Sequence, residues 1–459
     1  MKTIKFTIIA SIFISSLIFM QSCKTDDPIE VDPFATEFIT EGTTVTVVDH
    51  GEGTGTMTFT ADKTWVLGNF VFVNSGQTLT IEAGTVIKGK PGEGESATAL
   101  IVAAGGKINA VGTETNPIIF TALADDLNGS VSLTDRGLWG GLILLGNAKI
   151  NTIPNQMSIE GIPTTETRGI YGGSDDADNS GVLKYISIRH GGTNIGADNE
   201  INGLTLAGIG SETVIEHIEV IANNDDGFEF FGGTVQTKYL ISAYNKDDCF
   251  DYDQGFSGKG QFWLAIQADD EGDRLGEFDG ADDPENGTPF GIPTLYNLTF
   301  VGNNHAGGRA VTFRANAGGK VFNSIILNTD LGVDIELKES LTSETSYKRM
   351  VEGDLRFGNN ILYAIAAGST DETVFTLKAD DAITVEDLAT AKTNLYNYLL
   401  SANNAYTDPG IVLSPFNPIP SGNVSDNLAS YSDSFFEAVT YKGAFGTSNW
   451  ALGWTLLFE

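Results

Sequence analysis

Only two of the 459 residues are cysteine, which excludes a scaffold held by several disulfides and leaves stability to packing. Proline is scarce too, 13 residues against 54 glycines. The glycines follow no three-residue period, so a collagen-like chain is excluded and many tight corners between short elements are expected. Positive charge is the third shortage: 26 lysines and arginines face 60 aspartates and glutamates, a formal net charge of −34. Such a surface repels a polyanion and attracts divalent cations, and no basic stripe with interleaved aromatics is present, so nucleic acid is set aside as a partner. There is no Gly-rich phosphate loop, no zinc-type Cys/His spacing, and no Ser-His-Asp set that spacing would pick out.

The longest apolar stretch, Phe6 to Met20 after Lys2 and Lys5, is short for a transmembrane helix and has the order of a secretory signal. It ends in Met20-Gln21-Ser22-Cys23, which resembles a bacterial lipoprotein signal with a loose lipobox, of the form common in Bacteroidota. The resemblance implies a signal peptide over 1–22, lipidation of Cys23, and a lipidated tether over 23–42. It also implies anchoring to the outer membrane, facing the exterior, because Lys24-Thr25-Asp26-Asp27 is similar to a surface-export tag. A lipidated N-terminus anchors a protein without spanning the bilayer. With Cys23 so used, Cys249 is the one thiol left.

What the chain has in plenty is a repeat. IEVIANNDDGFEFFGG, ending at Gly233, and LISAYNKDDCFDYDQG, ending at Gly255, align at an offset of 22 residues. Asn223 then falls on Asn245, Asp225 and Asp226 on Asp247 and Asp248, Phe228 on Phe250, and Glu229 on Asp251. A period of this size marks a solenoid, whose coils bury their apolar faces only against neighbours. Ala83-Gly84 and Ala104-Gly105 suggest another copy at 21, with Ile87 on Ile108; Asn297 and Asn323 suggest one at 26. The stretches IEAGTVIKG, INAVGTETNPIIFTA and LWGGLILLGNAKI resemble the repeats of right-handed parallel β-helix lipoproteins of the pectin-lyase-like class. That resemblance implies an all-β fold with the helix over 43–360, in a class that includes lyases, hydrolases and adhesins. Acidic insertions fall at Gly172 to Gly181 and Ala268 to Gly287, and insertions of a solenoid gather on one side. Beyond 360, Thr384 to Asn403 has apolar residues at helical spacing, with Glu386 and Asp387 in the first turn, so one amphipathic helix is expected. With the aromatic ending, similar to the YKGAFG…W..GW close of the same lipoproteins, 361–459 reads as a helix-containing cap.

In a strand side chains alternate, so Phe228 and Phe230 face inward over Phe250 and Tyr252, while Glu229 faces outward over Asp251. The outward acids stack about 5 Å apart. Each like-charge pair then costs roughly 3 kcal/mol at an effective dielectric near 20, or about 0.8 if fully solvated. Three outlets remain open. Asp225, Asp226, Glu229, Asp247, Asp248, Asp251 and Asp253, with Asn223 and Asn245, are oxygen donors that suit Ca2+. One carboxylate of each pair can instead hold a proton, giving an acid beside a base, the arrangement of polysaccharide hydrolases. Or the acids cap corners by accepting from backbone N–H groups. For catalysis the candidates are Asp226 and Asp248, with Lys246, Arg189 and His190 as bases and Arg274, Arg309 and Arg314 further on. Cys249, aligned with Gly227, reads as the filler of a small corner slot. The expectation is a lipid-anchored surface β-helix that binds an extracellular ligand, a glycan, along an acidic calcium-assisted face. The alternatives are a polysaccharide lyase or glycoside hydrolase on the same fold, and a non-catalytic protein working beside an outer-membrane uptake receptor.

Overall fold

The computed structural model describes residues 34–459 except 197–198, 282–283 and 367; the expected signal segment and Cys23 lie outside the described residues. The coil that carries the first copied run shows the plan of the rest. Phe228–Phe231 is its first strand, and Gln236–Ala243 supplies two more, divided at Tyr239, whose φ of 58° turns the chain. Strands of the first kind stack in parallel into a 10-stranded sheet, and the others into an 18-stranded sheet. The turning residue recurs coil after coil as Tyr185, His217, Tyr239, Phe262, Asn297, Asn323 and Asn359, all at positive φ. Asparagine tolerates that region, whereas an aromatic residue there costs roughly 1–2 kcal/mol. Stacking offsets the cost: Tyr185 and His217 lie 4.3 Å apart, His217 and Tyr239 4.4 Å, Tyr239 and Phe262 4.9 Å.

The copied runs are in register, Phe228 opposite Phe250 and Glu229 opposite Asp251. Leu295 likewise pairs with Val321. The offset of 21 is corrected: Leu79 pairs with Ile108, and Ile87 with Phe120. Ala83-Gly84 and Ala104-Gly105 are the same turn at two different corners of a coil, each with its glycine at positive φ (81° and 83°), so turn chemistry alone imitated a repeat. Inside, Phe228 stacks on Phe250 at 5.2 Å. Tyr252 sits in register with Phe230 but stacks on Phe278 at 4.4 Å, because Phe256 enters from the next corner and takes the place over Phe230. Each such buried ring contributes about 1.5–3 kcal/mol. Cys249 is buried in this core and fills the slot that Gly227 occupies one coil earlier, where an added Cβ would meet Ser242 Oγ at 2.1 Å.

Both ends of the stack depart from expectation. Glu37–Glu41, inside the expected tether, is a strand that pairs antiparallel with Thr44–Val48 and covers the first edge. At the far end, Ile361–Ile365 and Phe375–Ala379 still pair in parallel with earlier coils, so the ladder runs past residue 360. Three helices follow from Ser346: α1 (Ser346–Glu352), α2 (Asp371–Val374) and α3 (Val385–Leu399). Only α3 is long enough for its periodicity to be read. Thr384 caps it, its hydroxyl accepting from Asp387 N–H at 3.1 Å, and Ala391, Leu395 and Leu399 join the main core.

Residues 404–459 are not an end cap. They run back along the side of the 18-stranded sheet, and the turning asparagines hold them: Asn323 Nδ2 donates to Ala429 O (3.0 Å) and Asn297 Nδ2 to Tyr441 O (2.9 Å). Further back, Trp450 and Trp454 stand edge-on to His217 and pack with Ile221, Ile241 and Leu264. The last turns are pinned by the fully buried Glu219, whose oxygens accept from Leu456 N–H (2.9 Å) and Leu457 N–H (3.0 Å).

Candidate functional site

Two rows of carboxylates meet on the outer side of the 10-stranded sheet. One row sits at the corner that precedes it. Asp226 Oδ1 accepts from the backbone N–H of Asp248 (2.9 Å), and Asp248 Oδ1 from that of Arg274 (2.6 Å). Corner capping therefore accounts for one oxygen of each. The other row rides on the strands: Glu229, Asp251 and Glu277 stand in register on successive coils, between Thr205 and Thr312.

Between the rows lies a cleft of about 380 Å³, lined by eight carboxylates, Asn202 and Asn224, and one lysine, Lys246. Glu160 and Glu200 reach it from the segments outside the coils, and Asn202 Nδ2 donates to both Glu229 and Glu160. Three sets of ligand oxygens lie within 4.8 Å of one another: Asp225 with Asp226 and Asp247, Asp226 with Glu229 and Asp251, and Asp247 with Asp248 and Asp273. At one end arginines answer the acids. Arg274 Nη1 reaches Asp273 (2.6 Å) and Glu277 (3.1 Å), and Arg314 Nη1 reaches Glu277 (2.9 Å). Among the described residues no arginine or lysine makes an ion pair with the middle set, although Arg314 acts on Asp251 at longer range, and Asp251 Oδ1 is buried without a hydrogen-bond partner.

Burial, then neighbouring negative charge, raises the protonation range of the six acids Asp225, Asp226, Glu229, Asp247, Asp248 and Asp251. Asp226, Glu229, Asp248 and Asp251 are held well above the usual carboxylate range, by desolvation first and by nearby carboxylates second, Asp248 acting on Asp226, Glu160 on Glu229, Glu277 on Asp248 and Asp226 on Asp251. Asp225 is pushed up to about 7 by burial and by Glu160 and Asp247. A cleft of oxygen donors alone, with a buried oxygen that has no proton donor, fits a hard divalent cation better than zinc or a soft metal.

Of the residues singled out in the sequence, Asp225, Asp226, Glu229, Asp247, Asp248, Asp251 and Lys246 are brought together. Others are not. Asp253 lies beyond Asp251 on the strand, where its Oδ1 accepts from Gln254 N–H (2.5 Å) beside Tyr171. Asn223 and Asn245 are buried inside the corner, Asn245 Oδ1 accepting from Asn223 N–H (2.9 Å), and do not line the cleft. Arg189 is buried on the 18-stranded sheet, bonded to Ser187 Oγ (2.8 Å) and facing Glu459 (3.4 Å). His190 Nδ1 is 2.9 Å from Asp135 O, and burial lowers its affinity for a proton. Arg309 pairs with Asp334. The acids of the first insertion are spent on structure, Asp178 on Asn147 and Asp176 on Lys149. Asp273 and Glu277 were expected only as acids of the second insertion, not as partners of the copied acids, and Glu160 and Glu200 went unrecognised. Glu277 had a signal, since Glu277-Phe278-Asp279-Gly280 repeats Asp251-Tyr252-Asp253 one coil on; Glu160 and Glu200 had none, because they come from outside the repeat.

No curated protein and no solved structure matches the chain. The family model of the pectate-lyase-like beta helix domain matches residues 51–403, a span that takes in nearly all of the parallel ladders and the acidic cleft. The chain belongs to that family.

Proposed function

We propose that the acidic cleft is a divalent-cation site, for Ca2+ in the first place, and that the protein holds an extracellular glycan there through the bound cation. The observation that carries the reading is Asp251 Oδ1, buried and without a partner, in a set whose three ligand oxygens lie within 4.8 Å of one another. Three buried carboxylates so close repel unless a proton or a cation enters between them. A calcium ion takes six to eight oxygens, which leaves positions for hydroxyl or carboxylate oxygens of a sugar. The lipoprotein-like start adds the setting: an outer-membrane lipid anchor at Cys23 that presents the β-helix to the exterior, where an uptake receptor is a fitting neighbour.

Metal analysis of the purified chain and melting curves with Ca2+ or EDTA test the cation. Added Ca2+ should raise the melting temperature by several degrees, and Asp251→Asn should remove that response while leaving the fold intact. An unmoved melting curve and no co-purifying metal would sink the reading. A second reading, a polysaccharide lyase, is favoured by Lys246 and Arg274 standing beside the acids. A base so placed can remove the proton α to a uronate carboxylate that the cation neutralises. Release of an unsaturated product from polyuronates, lost in Lys246→Ala or Arg274→Ala, is the expected result of that reading, and no turnover on any acidic glycan opposes it.

A further inference from the structure

Lys442 belongs to the returning C-terminal segment, in the YKGAFG run. Its backbone N–H donates to Val424 O (2.8 Å), and that of Gly443 to Asn323 O (2.8 Å), which fixes the segment against the coils. It is 2% exposed, and among the described residues it is the only buried lysine. Several other lysines meet carboxylates: Lys149 pairs with Asp176, Lys184 with Glu216, Lys238 with Glu437. The Lys442 amine has no ion pair or hydrogen bond to any described residue. It lines a separate cavity of about 290 Å³ together with Thr407, Asp408, Asn423, Asp426 and Ile361. Asp426 is near enough to act on its charge, and one of its oxygens accepts from Asn423 Nδ2 (2.6 Å), but it makes no ion pair with Lys442.

An ammonium that the protein exposes so little and gives no hydrogen bond is costly, and the cost falls if the group sheds its proton or meets an oxygen from a ligand in the cavity. We infer that Lys442 is an amine nucleophile in a pocket for small hydroxylated aldehydes or ketones, such as the open-chain form of a sugar. The neutral Nζ adds its lone pair to the carbonyl carbon as the C=O π bond breaks, and one proton passes from the nitrogen to the oxygen to give a carbinolamine. Loss of water then leaves an imine, which water reverses. Thr407 and Asp408 offer hydrogen bonds to the hydroxyls of such a ligand, and Ile361 gives its carbon backbone an apolar wall. Desolvation draws the Lys442 ammonium down to about 8 from an ordinary 10.5, so at neutral pH far more of this amine is unprotonated than of an exposed one. The site shares no residue with the acidic cleft and needs no cation.

Glycolaldehyde with cyanoborohydride tests it on the full chain. The hydride reduces the imine to a stable secondary amine, and peptide mapping by mass spectrometry gives the labelling rate at each lysine. At about pH 7.5, Lys442 should label about tenfold faster than the exposed Lys392 and Lys107, with or without EDTA. Lys442→Arg should remove the fast fraction only. A rate at Lys442 equal to or below those of Lys392 and Lys107 overturns the inference. If the arginine variant does not fold, the comparison among lysines of the unaltered protein decides alone.

Discussion

His217 shows how much a single side chain carries here. Its ring lies between Tyr185 and Tyr239 with Trp450 and Trp454 edge-on, and its Nδ1 has no hydrogen-bond partner. Desolvation pushes its pKa down to about 4, against the pull of Glu216 and Glu437 and with the push of Lys184. The unfolded chain takes up this proton near pH 6.5, and the folded chain only near 4. The stability from keeping the imidazole neutral is therefore complete above about pH 6.5 and lost as pH falls towards 4, by about 2–3 kcal/mol. His217→Phe keeps the stack, since Phe262 already occupies the same turning position at φ 61°. Denaturation of the two proteins between pH 7 and 4 should give curves that diverge over that window; parallel curves would contradict the assignment. The cleft carboxylates pull the opposite way, being raised rather than lowered, which is why the difference between variant and parent is the readout.

Among elements, the returning segment 404–459 matters as much to stability as any coil. It covers Ile221, Ile241 and Leu264, which would otherwise form an apolar stripe on the 18-stranded sheet. Trp454→Ala removes a fully buried ring and should cost about 3–5 kcal/mol in chemical denaturation. Truncation at residue 403 should give an aggregating protein, whereas a soluble, folded product would show that the coils are complete without the strap. Glu219→Ala should leave the coils intact but release the last residues, read as new cleavage near the C-terminus in limited proteolysis. In the sequence this segment shows only aromatic content, which says that it packs but not where. The strands were legible because alternation and in-register copies repeat over many coils. α1 and α2 were not, because one or two turns carry no period.

The whole molecule is governed by its charge. With a net charge of −34, monovalent salt should raise the melting temperature of the chelator-treated protein by screening self-repulsion. Divalent cations should do so at far lower concentration if the cleft takes them up as one site. Equal effects at equal ionic strength would reduce the cleft to a patch of diffuse charge. The candidate site was half legible in the sequence. Asp226, Asp248, Glu229 and Asp251 were readable because two coils were copied with their acids, and stacking follows from copying. Glu160 and Glu200 were not, because they come from outside the coils, and no periodicity ties such residues to the coil they approach.

By itself, then, the sequence determined the parallel coil, the inward aromatic ladder and the outward pairing of Glu229 with Asp251, since each of these follows from the period of the strand and the near-identity of neighbouring repeats. Only the tertiary structure decided which acids share a cleft, that Arg189 and His190 lie buried elsewhere, and that the C-terminal segment doubles back to bury Lys442 and to pack against His217. Those facts depend on how residues distant along the chain are brought side by side, and local patterns carry no information about that distance.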